Sequence, residues 1–181
     1  IKLCQALRKQ YGFDAISLMP TNLYGPKDNY DPNNSHVMAS LIRKFCTAKE
    51  FNKREVICWG TGTPFREFLH VDDLGEAATF VLEKWNPDAQ NAPKDKFGKP
   101  LQILNVGTGQ DISIKDLSKK IASITNYKGE IIWEKDKPDG TPKKLLDITN
   151  LKSLGWQSRI SLDTGIKDSI KEFREMNNFK S

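Results

Sequence analysis

The chain has 181 residues, 38% of them hydrophobic and 28% charged, a globular composition that excludes an apolar-poor disordered chain. Its formal net charge of +5 is carried by lysines spread along the sequence and not collected in one block, so a nucleic-acid partner is not demanded. No apolar run approaches the roughly 18 residues that span a bilayer, and the three cysteines, Cys4, Cys46 and Cys58, match no zinc spacing.

Residues 1–11 read as the end of a helix, with Leu3, Cys4, Leu7 and Tyr11 on one stripe and Gly12 as its stop. The sequence opens in mid-helix, with no secretory signal. Residues 15–19 form a short apolar strand ended by Pro20, and residues 21–26 a loop that leaves it. The stretch 28–35, rich in Asn, Asp and Pro, is expected to be irregular. Ser35 is expected to cap a helix running to about Glu50, whose buried face is Val37, Met38, Leu41, Ile42, Phe45 and Cys46.

Residues 55–59 read as a strand, 60–64 as a turn and 65–71 as extended chain. Asp72 can cap a helix carrying Leu74, Ala77, Ala78, Val81 and Leu82, and the polar residues 86–99 read as a surface insertion. A strand over 101–106 exits through Gly107-Thr108-Gly109. Ser113 with Asp116 opens a helix holding Leu117, Ile121 and Ile124 in the manner of a capping box. A strand at 131–133, a turn-rich loop at 137–142 and a last helix from about Leu162 to Met176 complete the chain. Strands alternate with helices and nothing repeats, so the fold class is α/β.

Few local motifs carry chemistry on their own. Gly60 and Gly62 make a G-x-G with Phe65 where a third glycine would stand, and Gly107 and Gly109 fail the same test with Ile112. There is no P-loop, and no Ser-His-Asp or Cys-His set is readable from spacing. With so few cysteines the sequence reads as a cytoplasmic protein with reduced thiols. No metal site is expected.

A series of loops is more specific than any one of them: M-P-T-N-L-Y-G-P at 19–26, N-S-H-V at 34–37 and W-G-T-G-T-P-F-R-E-F-L-H-V-D-D at 59–73, then N-V-G-T-G at 105–109, K-P-D-G-T-P at 137–142 and K-L-L-D at 144–147. In this order the chain resembles, nearly end to end, the GDP-sugar epimerase/reductases of the extended short-chain dehydrogenase/reductase family. The resemblance implies the C-terminal part of that fold: a few elements of a Rossmann sheet plus the smaller α/β substrate domain. Residues 1–25 would be the end of a cofactor-domain helix and a sheet strand. Residues 26–181 would be mainly the substrate domain, with 65–84 and 101–109 packing on the cofactor-domain sheet.

The implied function is the substrate-binding part of an NADPH-dependent enzyme converting GDP-4-keto-6-deoxy-D-mannose to GDP-L-fucose. The resemblance makes His36 the catalytic proton donor. It places Pro20, Thr21, Asn22, Leu23 and His36 against the NADP(H) cofactor, and Lys44, Trp59, Arg66 and Asp139 against the GDP-sugar. The implied partners are that substrate and a second copy in a homodimer, with neither nucleic acid nor membrane. The family's tyrosine with a lysine four residues on is not found, since Tyr11, Tyr24, Tyr30 and Tyr127 are followed there by Ala15, Asp28, Asn34 and Ile131. The chain is therefore expected to begin downstream of the reduction machinery and to be inactive alone.

The rival readings are another nucleotide-sugar epimerase or dehydratase of the family, a non-catalytic nucleotide-sugar binding fragment, and a structural module. Plain structural roles compete residue by residue. His70 is expected to be packed, and Asp72 and Asp73 to supply a helix cap and a structural contact. Arg66 could instead pair with a neighbouring carboxylate, and Asp139 could serve only its turn.

Overall fold

In the computed structural model, which describes residues 1–179, the elements run α1 (Lys2–Tyr11), β1 (Ser17–Pro20), β2 (Asn22–Tyr24), α2 (Val37–Glu50), β3 (Glu55–Trp59), β4 (Phe65–His70) and α3 (Val71–Lys84). They continue with β5 (Ile103–Val106), β6 (Asp111–Ser113), α4 (Ile114–Ile124), β7 (Glu130–Glu134), β8 (Lys143–Lys144), α5 (Thr149–Ser153) and α6 (Leu162–Met176).

Long-range parallel pairs set the architecture. β1 lies beside β5, with Ser17 opposite Ile103 and Pro20 opposite Val106. The Thr21 N–H donates to the Val106 carbonyl at 3.0 Å, and the chain then changes partner: β2 pairs with β4, Asn22 opposite Phe68. Residues 22–24, expected in a loop, are thus strand, because β4 offers a free edge 46 residues further on. The antiparallel β6 and the short β8 pair with β4 as well. β3 and β7 form a separate parallel pair, with Glu55 opposite Glu130.

The amphipathic spacing in α2 buries Met38, Leu41, Ile42, Phe45 and Cys46 against Leu117 and Ile121 of α4 and Ile166, Ile170 and Phe173 of α6. Each such side chain contributes about 1.5–3 kcal/mol when fully removed from water. A second cluster joins Leu69, Leu104 and Val106 of the strands to Ala77 and Val81 of α3, with Trp85, Leu151 and Trp156 closing it.

Helix starts show why some caps were legible and others not. At α4 the Ser113 hydroxyl accepts from the Asp116 N–H at 3.0 Å and donates to the Asp116 carboxylate at 2.7 Å, as the sequence predicts. At α2, Ser35 stays outside the helix and His36 is the N-cap, with no side-chain bond to the first amides. At α3 the cap is His70, whose Nδ1 accepts from the Asp72 N–H at 3.3 Å, and not Asp72, whose side chain is exposed. His70 is buried edge-on to Tyr24, and buried Asp73 accepts from the N–H groups of Arg159 and Ile160, both at 3.1 Å.

One predicted apolar face is not covered. α1 has no buried residue, with Leu3 and Tyr11 exposed. It is tied to the body through Arg8, which reaches Asp14 at 2.7 Å and Asp88 at 2.8 Å. Leu82 on α3 is exposed as well, because it sits on the face opposite Ala77 and Val81. Among the described residues no helix is long and apolar enough to cross a membrane, no group of acidic, histidine and cysteine side chains is placed to hold a metal ion, and all three cysteines are free.

Candidate functional site

Where α2 begins, β3 ends and the 137–142 loop folds back, two adjoining hollows make one cleft. The first, of about 390 Å³, is lined by Ser35, Val37, Ser40, Lys44, Cys58 and Trp59 among others. The second, of about 170 Å³, is lined by Trp59, Arg66, Pro138, Asp139 and Gly140 among others. Val37, Trp59 and Ile114 belong to both.

Alternation along β3 turns Val56 and Cys58 inward and Trp59 outward. The indole is 68% exposed, and the ammonium groups of Lys44 and Lys137 stand 5.8 and 5.9 Å from its ring centre. Lys44 projects from α2 and donates to the Ile57 carbonyl at 2.8 Å. Burial pushes its pKa down from the usual lysine value.

Arg66 leaves β4 into the same cleft. Its Nη1 donates to the carbonyls of Phe65 and Thr141, at 2.7 and 2.6 Å. It makes no ion pair among the described residues, so the carboxylate partner weighed from sequence is not there. A Cβ on Gly140 would stand 2.8 Å from Arg66 Nη2, so the bare glycine leaves room for the guanidinium. Asp139 turns the other way: its Oδ1 accepts from the Thr61 N–H at 2.9 Å and its Oδ2 from the Thr61 hydroxyl at 2.6 Å. Those two bonds, the hydroxyl first, hold its carboxyl below the usual aspartate range. The carboxylate clamps the turn after Trp59 and lines the cleft at once.

The second Gly-Thr-Gly turn is closed in the same way from inside. Glu67, fully buried, accepts at Oε1 from the N–H groups of Thr108 and Gly109, at 2.6 and 2.7 Å. Its Oε2 accepts from the Leu146 N–H at 3.0 Å. Turn amides of this kind can cradle a phosphate; here both turns direct amides at a protein carboxylate.

Lys44, Trp59, Arg66 and Asp139 therefore meet in one cleft. His36 does not line it: the residue is exposed at the N-cap of α2, between Ser35 and Val37, which do. Pro20, Thr21, Asn22 and Leu23 stand apart, where β1 passes into β2. Thr21 Oγ1 and Asn22 Nδ2 donate to the Glu67 carbonyl, at 3.2 and 2.8 Å, one residue along β4 from Arg66. None of the four side chains at 20–23 is charged. Sequence reasoning missed Lys137, Thr61 and Glu67. For Glu67, a charged residue between Arg66 and Phe68 in a strand was the available signal.

Comparison with known proteins gives a consistent picture. The family model described as "NAD dependent epimerase/dehydratase family" matches residues 1–96. The chain is 47% identical over 175 residues to the GDP-L-fucose synthase of Escherichia coli (strain K12), covering 97% of this chain and 53% of that protein. Among solved structures, a GDP-6-OMe-4-keto-L-xylo-heptose reductase from C. jejuni superposes with a TM-score of 0.86 at 31% identity, over 97% of this chain and 58% of that one. A GDP-mannoheptose C4 reductase from Campylobacter jejuni with NADP bound gives 0.77 at 29% identity, over 96% and 56%. The chain spans about half the length of the curated relatives it matches.

Proposed function

The chain belongs to the NAD dependent epimerase/dehydratase family, and from that premise we propose that it is the substrate-binding part of an NADPH-dependent epimerase/reductase that turns GDP-4-keto-6-deoxy-D-mannose into GDP-L-fucose. The observation that carries this reading is the meeting of Lys44, Trp59 and Arg66 in one cleft, joined to a likeness to enzymes whose names specify GDP-sugars.

The cleft suits a nucleoside diphosphate. Among the described residues Arg66 has no carboxylate partner, and its planar fork can give paired, charge-assisted bonds to phosphate oxygens. Lys44 adds a second cation, and the exposed Trp59 ring offers an apolar face. Asp139 fixes the turn that carries Trp59 through Thr61. His36 sits beside the cleft with its ring exposed, where an imidazole nitrogen can return a proton to a carbon next to the sugar ketone. Residues 20–23 and His36 would meet the nicotinamide end of NADP(H), which supplies the hydride for reduction. We place 1–25, with 65–84 and 101–109, on the cofactor side of the fold, and the remainder of 26–181 on the substrate side; a homodimer of the whole protein is part of the same proposal.

The test is a nucleotide screen by tryptophan fluorescence. Trp85 and Trp156 are buried, whereas Trp59 is exposed and the half-buried Trp133 lines the same cleft, so a ligand there is reported by Trp59 and Trp133. GDP should change the emission and UDP should not, and Trp59→Phe should reduce the response, leaving the part that Trp133 reports. An equal response to both nucleotides would favour another nucleotide-sugar enzyme of the family, and no response to GDP would contradict the assignment.

A further inference from the structure

A separate cavity of about 640 Å³ opens between the C-terminal half of α2 and β3, and shares only Lys44 and Trp59 with the cleft. Four of its lining side chains are cations, Arg43, Lys44, Lys53 and Arg54, against two carboxylates, Glu55 and Glu134. Among the described residues none of the four cations forms an ion pair within 4.0 Å. Arg43 Nε is buried with no hydrogen-bond partner, and Lys44 donates to a neutral carbonyl.

The end of α2 does not account for this charge. Cations do settle near a helix C-terminus to meet its last carbonyls. Here three of the last four carbonyls already accept from backbone: the Phe51 N–H donates to Thr47, Asn52 to Lys49 and Lys53 to Ala48. Four like charges around one hollow repel one another, and an anion placed among them relieves that repulsion.

We propose that this groove is a second anion site, which takes a phosphorylated small molecule through its phosphate oxygens on Arg43, Lys53 and Arg54. It is distinct from the GDP-sugar cleft and does not depend on the reading of that cleft. Guanidinium groups bind phosphate in pairs of charge-assisted bonds, and the ligand can be a free polyphosphate or a second nucleotide.

The experiment is calorimetry with inorganic pyrophosphate at low ionic strength, on the protein and on the double variant Lys53→Glu/Arg54→Glu, with and without saturating GDP. Both altered side chains are exposed, and an unchanged melting curve checks that the variant is folded. Pyrophosphate should still bind with GDP present, and the double variant should bind it about tenfold more weakly or worse while keeping the parent's GDP affinity. GDP in place of pyrophosphate, titrated to a second equivalent, separates a nucleotide ligand from a bare polyphosphate. Should GDP fail to bind at all, the cleft assignment falls, and the pyrophosphate titrations of the two proteins still decide the groove. Pyrophosphate binding that is absent or unaltered in the double variant overturns the proposal, as does its loss in the presence of GDP when GDP itself binds only one equivalent.

Discussion

The tripeptide Gly-Thr-Gly occurs at 60–62 and again at 107–109, and the two copies use one device at different depths. In each, a threonine amide donates to a carboxylate from a distant part of the sequence: Asp139 for the first, Glu67 for the second. Asp139 is exposed and its loop lines the cleft beside Trp59 and Arg66. Glu67 is fully buried and gathers the 107–109 turn and Leu146 around β4. A glycine-rich turn read from sequence as a failed phosphate cradle is, in both places, a cradle for the protein's own anion. Depth decides whether that anion lines the cleft or sits inside the fold.

The sharpest way to break the comparison is to remove the buried acid. Glu67→Ala strands three backbone N–H groups, those of Thr108, Gly109 and Leu146. Each buried donor left without a partner costs about 1–3 kcal/mol, so unfolding in urea should show a loss of about 3 kcal/mol or more. A loss below about 1 kcal/mol would mean that the carboxylate does not hold the turn.

At the exposed turn the consequence moves from stability to binding. Asp139→Asn should leave the melting temperature almost unchanged and weaken GDP binding several-fold, by loosening the turn that carries Trp59. The pH dependence has a definite sign. The Asp139 carboxyl is held below the ordinary aspartate range when folded, so its contribution is present above that range and is lost as pH falls through the lowered value. The difference in GDP affinity between parent and Asp139→Asn, measured across a descending pH series, should therefore persist through the ordinary aspartate range and close only below it. A difference that persists there would show that the carboxylate's charge is not the cause.

Local pattern made part of this legible. The α2 face, the Ser113–Asp116 start of α4 and the bounds of α6 follow from spacing and caps that lie within one segment. The strand at Asn22–Tyr24 does not, since three residues after a proline carry no period and their partner lies 46 residues away in β4. β6 and β8 are likewise polar and short, and are strands because β4 pairs with them. The five-residue α5 was missed although Asp147, which accepts from the Thr149 N–H at 2.9 Å, was a turn signal in plain view. At the site, resemblance singled out Lys44, Trp59, Arg66 and Asp139, which the structure gathers in one cleft. It gave no sign of Thr61 or Lys137, whose roles arise only when the 137–142 loop meets β3.

The central claim is that this cleft holds a nucleoside diphosphate by its phosphates, and Arg66 is the side chain on which it turns. Calorimetry with GDP on the parent and on Arg66→Ala tests it most directly, because among the described residues the side chain is tied only to the carbonyls of Phe65 and Thr141 and its removal spares the buried clusters. The account predicts a loss of about 1.5–3 kcal/mol in binding, roughly a 10- to 150-fold weaker affinity, with the melting temperature nearly unchanged. Equal affinity of parent and variant for GDP would contradict it.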